Sequence, residues 1–270
     1  MDKIKYIEIK GPLMVFGGPY SNLHALQALR AVAESKGYAP NQIICTGDIV
    51  AYCAFPQECI SFIADWGIHC IAGNVELNIK NDVDDCGCNF EDGTRCDLFS
   101  KQWFPYAKEN ITNEGVEFIS QLPEYLKFEY AGKKIGVLHG SFQNTSEFIF
   151  KSTAAKIKRA ILEDFDVDVV IGGHCGLPFI DHYEDKMWLN PGVIGMPAND
   201  GDVRTWYAEI NNELEYSFER LEYDFENAHD AMLSKGLVPS YAKTLKSGIW
   251  DNCDILPVVE TMMQGKLITI

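Results

Sequence analysis

The chain has 270 residues, and 47% of them are hydrophobic, which is ample for one large core. Its formal net charge of −16 argues against nucleic acid or an anionic membrane as a partner, since both are polyanions. A small phosphorylated ligand is not excluded, because a metal site makes its own positive field.

The first residues, MDKIKYIEIKGPLMVF, carry charges and no long apolar run, so neither a signal peptide nor a membrane span is expected. A cytoplasmic location follows as the expectation. The nine cysteines are then expected as reduced thiols or metal ligands, their odd count and irregular spacing fitting no disulfide framework.

In chain order, an apolar strand at residues 12–16 ends in Gly17-Gly18-Pro19, and a helix over 22–36 follows with Leu23, Leu26, Leu29 and Ala33 near helical spacing. A strand at 42–45 ends in Thr46-Gly47-Asp48, and a helix over 56–66 opens on Pro56. A strand at 69–72 ends in Gly73-Asn74. Residues 81–97 are acidic and rich in Gly and Cys, and read as a long excursion from the αβ rhythm. Helices are expected near 98–110 and 113–121, and a hairpin at 126–130 and 134–138 around Ala131-Gly132. The second hairpin strand ends in His139-Gly140. A helix over 152–164 leads to an apolar strand at 167–171 that ends in Gly172-Gly173-His174. Strands at 186–189, 205–210 and 214–221 and helices at 225–235 and 240–247 complete the chain. The alternation indicates an α/β fold in a single domain, residues 1–270, with an acidic Cys-rich insertion at about 81–97.

Strand ends carry the chemistry. In open α/β sheets ligands bind beyond the carboxyl ends of strands, so Asp48, Asn74, His139 and His174 should converge on one edge. An Asp oxygen, an Asn carbonyl and two imidazoles suit Mn, Fe or Zn. Taken singly, a Gly-Asp after a strand is more often a turn, and a buried His more often a satisfied polar group.

The order and spacing of these motifs resemble the calcineurin-like metallophosphoesterase superfamily, in particular its compact bacterial phosphodiesterase type. That family's motifs are Asp-x-His, Gly-Asp, Gly-Asn-His-Asp, His-Gly and Gly-His-x-His. The resemblance extends to Ser21-Asn22-Leu23-His24, to Gly47-Asp48-Ile49-Val50, to Asn190-Pro191-Gly192 and to Gly236-Leu237-Val238-Pro239. It implies a four-layer α-β-β-α sandwich of two mixed sheets and metal-dependent hydrolysis of a phosphomonoester or phosphodiester. It also implies Asp48 as a bridging ligand, with Asn74, His139 and His174 completing one metal's shell. The motif-one Asp and His are replaced by Gly18 and Tyr20, the motif-three His by Val75 and the last His by Gly176. One metal keeps its four ligands and the other keeps only Asp48.

Three readings of those losses compete. The second site is rebuilt, with Tyr20, Cys86 and Cys88 as candidate additional ligands, giving two ions. One ion suffices, with Glu76 as a candidate general base. Or the chain is a catalytically inactive binding module. The expected partner is a small phosphorylated substrate, with neither nucleic acid nor membrane, and a homo-oligomer is left open.

Overall fold

The computed structural model describes residues 3–270. Five strands form one sheet in the order β11-β10-β2-β3-β4. These are β2 (Leu13–Phe16), β3 (Ile43–Cys45), β4 (His69–Cys70), β10 (Thr205–Ile210) and β11 (Tyr216–Leu221). Six form the other, in the order β1-β5-β6-β7-β9-β8. They are β1 (Ile4–Tyr6), β5 (Tyr125–Tyr130), β6 (Lys133–Val137), β7 (Val169–Ile171), β8 (Pro178–Tyr183) and β9 (Lys186–Pro191). Both sheets mix parallel and antiparallel pairs: β2, β3 and β4 run parallel, as do β6, β7 and β9, whereas β10 and β8 pair antiparallel to their neighbours.

The period-two alternation of β2 sorts the core into layers. Leu13 and Val15 point between the sheets, where they join Ile44, Leu126, Val137, Ile171 and Leu189. Met14 and Phe16 point the other way, into a core shared with α1 (Leu23–Lys36), α2 (Pro56–Trp66), α7 (Phe225–Ser234) and α8 (Pro239–Ser247). Helices α3 (Asn74–Lys80), α4 (Arg95–Glu109) and α5 (Asn113–Ser120) close that side. On the far face of the six-stranded sheet, Ile161 and Leu162 of α6 (Ala155–Asp164) pack with Val170 and Trp188. The architecture is therefore the expected four-layer sandwich of two mixed sheets. The chain ends in a further short helix, α9 (Val258–Thr261), and a tail. No described helix is long and apolar enough to cross a membrane.

Several elements depart from expectation for local reasons. The turn at Gly73-Asn74 is also a helix start: Glu76 reaches back to the Gly73 amide at 2.8 Å, and α3 follows at once. The acidic excursion ends before 97, because Thr94 accepts from the Asp97 amide at 3.3 Å and starts α4 at Arg95. The strand expected from 214 starts at Tyr216, since Asn211 folds the preceding turn by accepting from the amides of Glu213 and Glu215. β1 and β8 are edge strands, and β8 carries Asp181 and His182 among its apolar residues, which hides its pattern.

Candidate metal centre

Parallel strands place their carboxyl ends together. The loop after β2 is joined to the loop after β9 through Gly17 and Val193, with the Gly17 amide 3.0 Å from the Gly192 carbonyl. It is also tied to the loop after β3, the amides of Tyr20 and Ser21 donating to the carbonyls of Asp48 and Ile49 at 3.1 and 2.8 Å. Asp48, His174 and Tyr20 all sit in left-handed backbone, at φ of +54°, +57° and +52°. Such conformations cost about 1–3 kcal/mol each and persist where surroundings over-determine them, often at functional sites.

The close approach of the loops requires glycine at 73. A Cβ there would lie 2.1 Å from Asp48 Oδ1 and 2.6 Å from the Asp48 nitrogen.

Asp48, Asn74, His139 and His174 are brought together, and all four are buried. Asp48, His139 and His174 each present one donor atom within 4.8 Å of the others. His139 Nε2 lies 3.1 Å from Asp48 Oδ2, from Asn74 Oδ1 and from His174 Nδ1. The roles of these atoms follow from their outer partners. His139 Nδ1 is 2.7 Å from the Thr46 carbonyl, which only accepts, so Nδ1 carries hydrogen and Nε2 offers its lone pair. Asn74 Nδ2 donates to the Cys86 carbonyl at 2.9 Å and to Cys88 Sγ at 3.4 Å, which leaves Oδ1 facing the cluster. His174 Nε2 is buried without a hydrogen-bond partner.

Four potential ligand atoms, Asp48 Oδ2, Asn74 Oδ1, His139 Nε2 and His174 Nδ1, thus converge. Burial opposes charge on His139, but the Asp48 charge and hydrogen bond outweigh it and raise the imidazole above its usual value. Burial likewise opposes the Asp48 carboxylate, and the His139 charge and hydrogen bond hold it below the usual range. His174 is pushed down to about 3 by burial and then by the neighbouring His139 charge, so it is a neutral ligand. Two imidazoles, a carboxylate and an amide oxygen fit Mn, Fe or Zn. The residues present fit one such ion.

The remaining candidates serve other ends. Glu76 is fully buried, and its oxygens accept from the amides of Asp48 at 2.9 Å, Val50 at 3.0 Å and Gly73 at 2.8 Å. It pins two motif loops together and has no free face from which to take a proton from water, which corrects its reading as a general base. Burial, then the Asp48 charge, pushes it up to about 7. Cys86 and Cys88 do not join the cluster of Asp48, His139 and His174 among the described residues. They hold Asn74 instead, through a backbone carbonyl and a sulfur. Burial keeps the Cys88 thiol well above its usual range. Val75 is core. Tyr20 is 6% exposed, with its ring lying over Gly18.

A pocket of about 80 Å³ opens against Asp48 and His174. Its walls are Tyr20, Tyr52, Phe90, Phe148, Tyr241 and Trp250, and no Lys or Arg lines it. Phe148 stacks on the His174 ring with centroids 4.2 Å apart. Asp251 lines the same pocket with its carboxylate paired to Arg95, at 2.8 Å from Arg95 Nη2. Sequence reasoning missed this wall, because its members come from five separate segments with no shared motif.

The family model of the calcineurin-like phosphoesterase superfamily domain matches residues 18–213. The chain belongs to that superfamily. An uncharacterised protein of Methanocaldococcus jannaschii is 27% identical over 252 residues, which cover 85% of this chain and 95% of the relative. Two solved structures share the fold: a protein of Pyrococcus horikoshii OT3 (TM-score 0.75) and a metallophosphoesterase of Sphaerobacter thermophilus (TM-score 0.70). Each is 22% identical, with 88% of this chain and 99% of the other covered.

Proposed function

We propose that this protein is a metal-dependent phosphoesterase that hydrolyses a small phosphomonoester or phosphodiester, with Mn, Fe or Zn held by Asp48, Asn74, His139 and His174. The convergence of four potential ligand atoms on one buried point, within a superfamily of phosphoesterases, carries the reading. A bound transition metal lowers the pKa of water and withdraws charge from a phosphoryl oxygen. His139 is held in its ligating tautomer by the Thr46 carbonyl, and Asn74 in its ligating orientation by the Cys86–Cys88 loop. The aromatic wall excludes water and seats the organic group of the ester. The motif-three His is the buried Val75, and His174 is the sole imidazole lining the pocket. Esters with good leaving groups, which depart without a proton, suit this site best. The nine free cysteines support a reducing, cytoplasmic setting.

The test compares wild type with His139→Ala and His174→Ala for bound metal and for hydrolysis of p-nitrophenyl phosphate and bis(p-nitrophenyl) phosphate across Mn, Fe and Zn. Both variants should lose most bound metal while keeping the circular dichroism of the fold, and hydrolysis should fall at least a hundredfold. Unchanged metal content in both variants refutes the ligand assignment. Full metal content in wild type without turnover of any ester points instead to a binding module.

A further inference from the structure

The family's second ion would need ligands at the places held by Gly18, Tyr20 and Gly176. These three departures meet in space. A Cβ on Gly18 would lie 2.4 Å from Tyr20 Cε1 and 2.5 Å from Cζ, so an acidic side chain there cannot coexist with the ring. A Cβ on Gly176 would be in van der Waals contact with the Trp250 ring at 3.7 Å and the Tyr20 hydroxyl at 3.9 Å, so the same ring borders this position. The ring is fixed, with Tyr52 packed edge-on at 4.9 Å and the Tyr20 backbone bonded to Asp48 and Cys53. The residues at this half of the site do not fit a second metal ion.

We propose that Tyr20 occupies the second ion's place, so that the centre holds one ion per chain and prefers singly charged phosphodiesters to doubly charged monoesters. The inference rests on the metal-dependent reading above. The substrate preference follows from charge. One divalent ion beside the Asp48 carboxylate leaves a net charge of about +1 facing the pocket, while the Glu76 carboxylate behind Asp48 is held by three backbone amides. No Lys or Arg lines the pocket, and Asp251 is already neutralised by Arg95. A diester's single charge is balanced there. A monoester dianion would bring a second charge against aromatic walls without a partner, which is costly.

The experiment loads purified protein with excess Mn2+, removes unbound ion and counts metal per chain by mass spectrometry, with electron paramagnetic resonance to detect coupled ion pairs. Wild type should hold one uncoupled ion. Two ions per chain would overturn the proposal, whereas none in any metal would overturn the metal reading itself, a separate result. Tyr20→Phe keeps the ring and should bind Mn2+ within about twofold of wild type. A tenfold loss would make the hydroxyl a ligand and end the filler role. The triple variant Gly18→Asp, Tyr20→His, Gly176→His should gain a second ion. If it folds and still holds one, the ring is not what excludes the other. Across matched p-nitrophenyl esters, kcat/KM should favour the diester at least tenfold at pH 8, and a preference for the monoester would refute the charge argument.

Discussion

Glu76 offers the sharpest energetic test. Its carboxylate is fully buried behind Asp48 and accepts three backbone amides at 2.8–3.0 Å. Those bonds favour the charged form, but burial and the Asp48 charge outweigh them, and the group titrates near 7 rather than at its usual 4.5. The folded protein therefore binds this proton more tightly than the unfolded chain. An acid raised in this way contributes stability below about 4.5 that is lost as pH rises through about 7. Each tenfold difference in proton affinity between folded and unfolded chain is worth about 1.4 kcal/mol. Between pH 5 and 8 the metal-free wild type should therefore lose roughly 2–3 kcal/mol from this one group. Glu76→Gln removes the titration. The amide oxygen can still accept from Asp48 and Gly73, while its NH2 faces the Val50 amide much as the protonated acid's hydroxyl does. Urea unfolding in the presence of chelator should find variant and wild type within about 1 kcal/mol of each other at pH 5. At pH 8 the variant should be more stable by roughly 2 kcal/mol. Its Mn2+ affinity should nonetheless fall several-fold, because a negative charge behind Asp48 has gone. Parallel stability curves for the two proteins from pH 5 to 8 would refute the argument.

Two further substitutions probe the same loops. Gly73→Ala drives a methyl group against Asp48 Oδ1 and the Asp48 nitrogen; it should cost about 1–3 kcal/mol in urea unfolding and weaken Mn2+ binding at least tenfold by calorimetry. Asn74→Asp turns an acceptor toward the Cys86 carbonyl in place of the Nδ2 donor. Despite its added charge, it should speed amide hydrogen exchange across residues 81–92, and unchanged exchange there would show that Asn74 does not hold the loop.

Much of the frame was legible because its causes are local. A parallel strand that must turn sharply at its carboxyl end needs residues tolerant of left-handed backbone, and Gly47-Asp48 supplies two of them in succession, at φ of +94° and +54°. Helices α1 and α2 were readable from apolar spacing and from Gly37 and Gly67, which end them in left-handed conformation. Asp48, His139 and His174 follow the carboxyl ends of β3, β6 and β7, so their meeting follows from the rule that places ligands beyond strand ends. Glu76 reads as a candidate base when Gly73-Asn74 is read only as a strand end. The same letters also spell a helix start, and the Glu three residues after Gly73 was the sign of it.

Tyr20 shows where reading by position stops. As one letter in a motif it is a lost histidine, and Gly18 and Gly176 are two more losses, each counting separately toward decay. In three dimensions a single phenol ring lies against both glycines, so the absent side chains are the condition for the ring rather than further damage. Random loss would leave a void at this half of the site, with destabilisation rising with its volume. Instead the ring packs against Tyr52, which packs in turn on Trp103 and Tyr241 at 4.9 Å each. The loops of the other half keep their strained turns, at Asp48 and His174. In the one-ion proposal, an apolar wall stands on one side of the centre and a set of converging ligands on the other, the combination expected of a one-ion site with a pocket beside it.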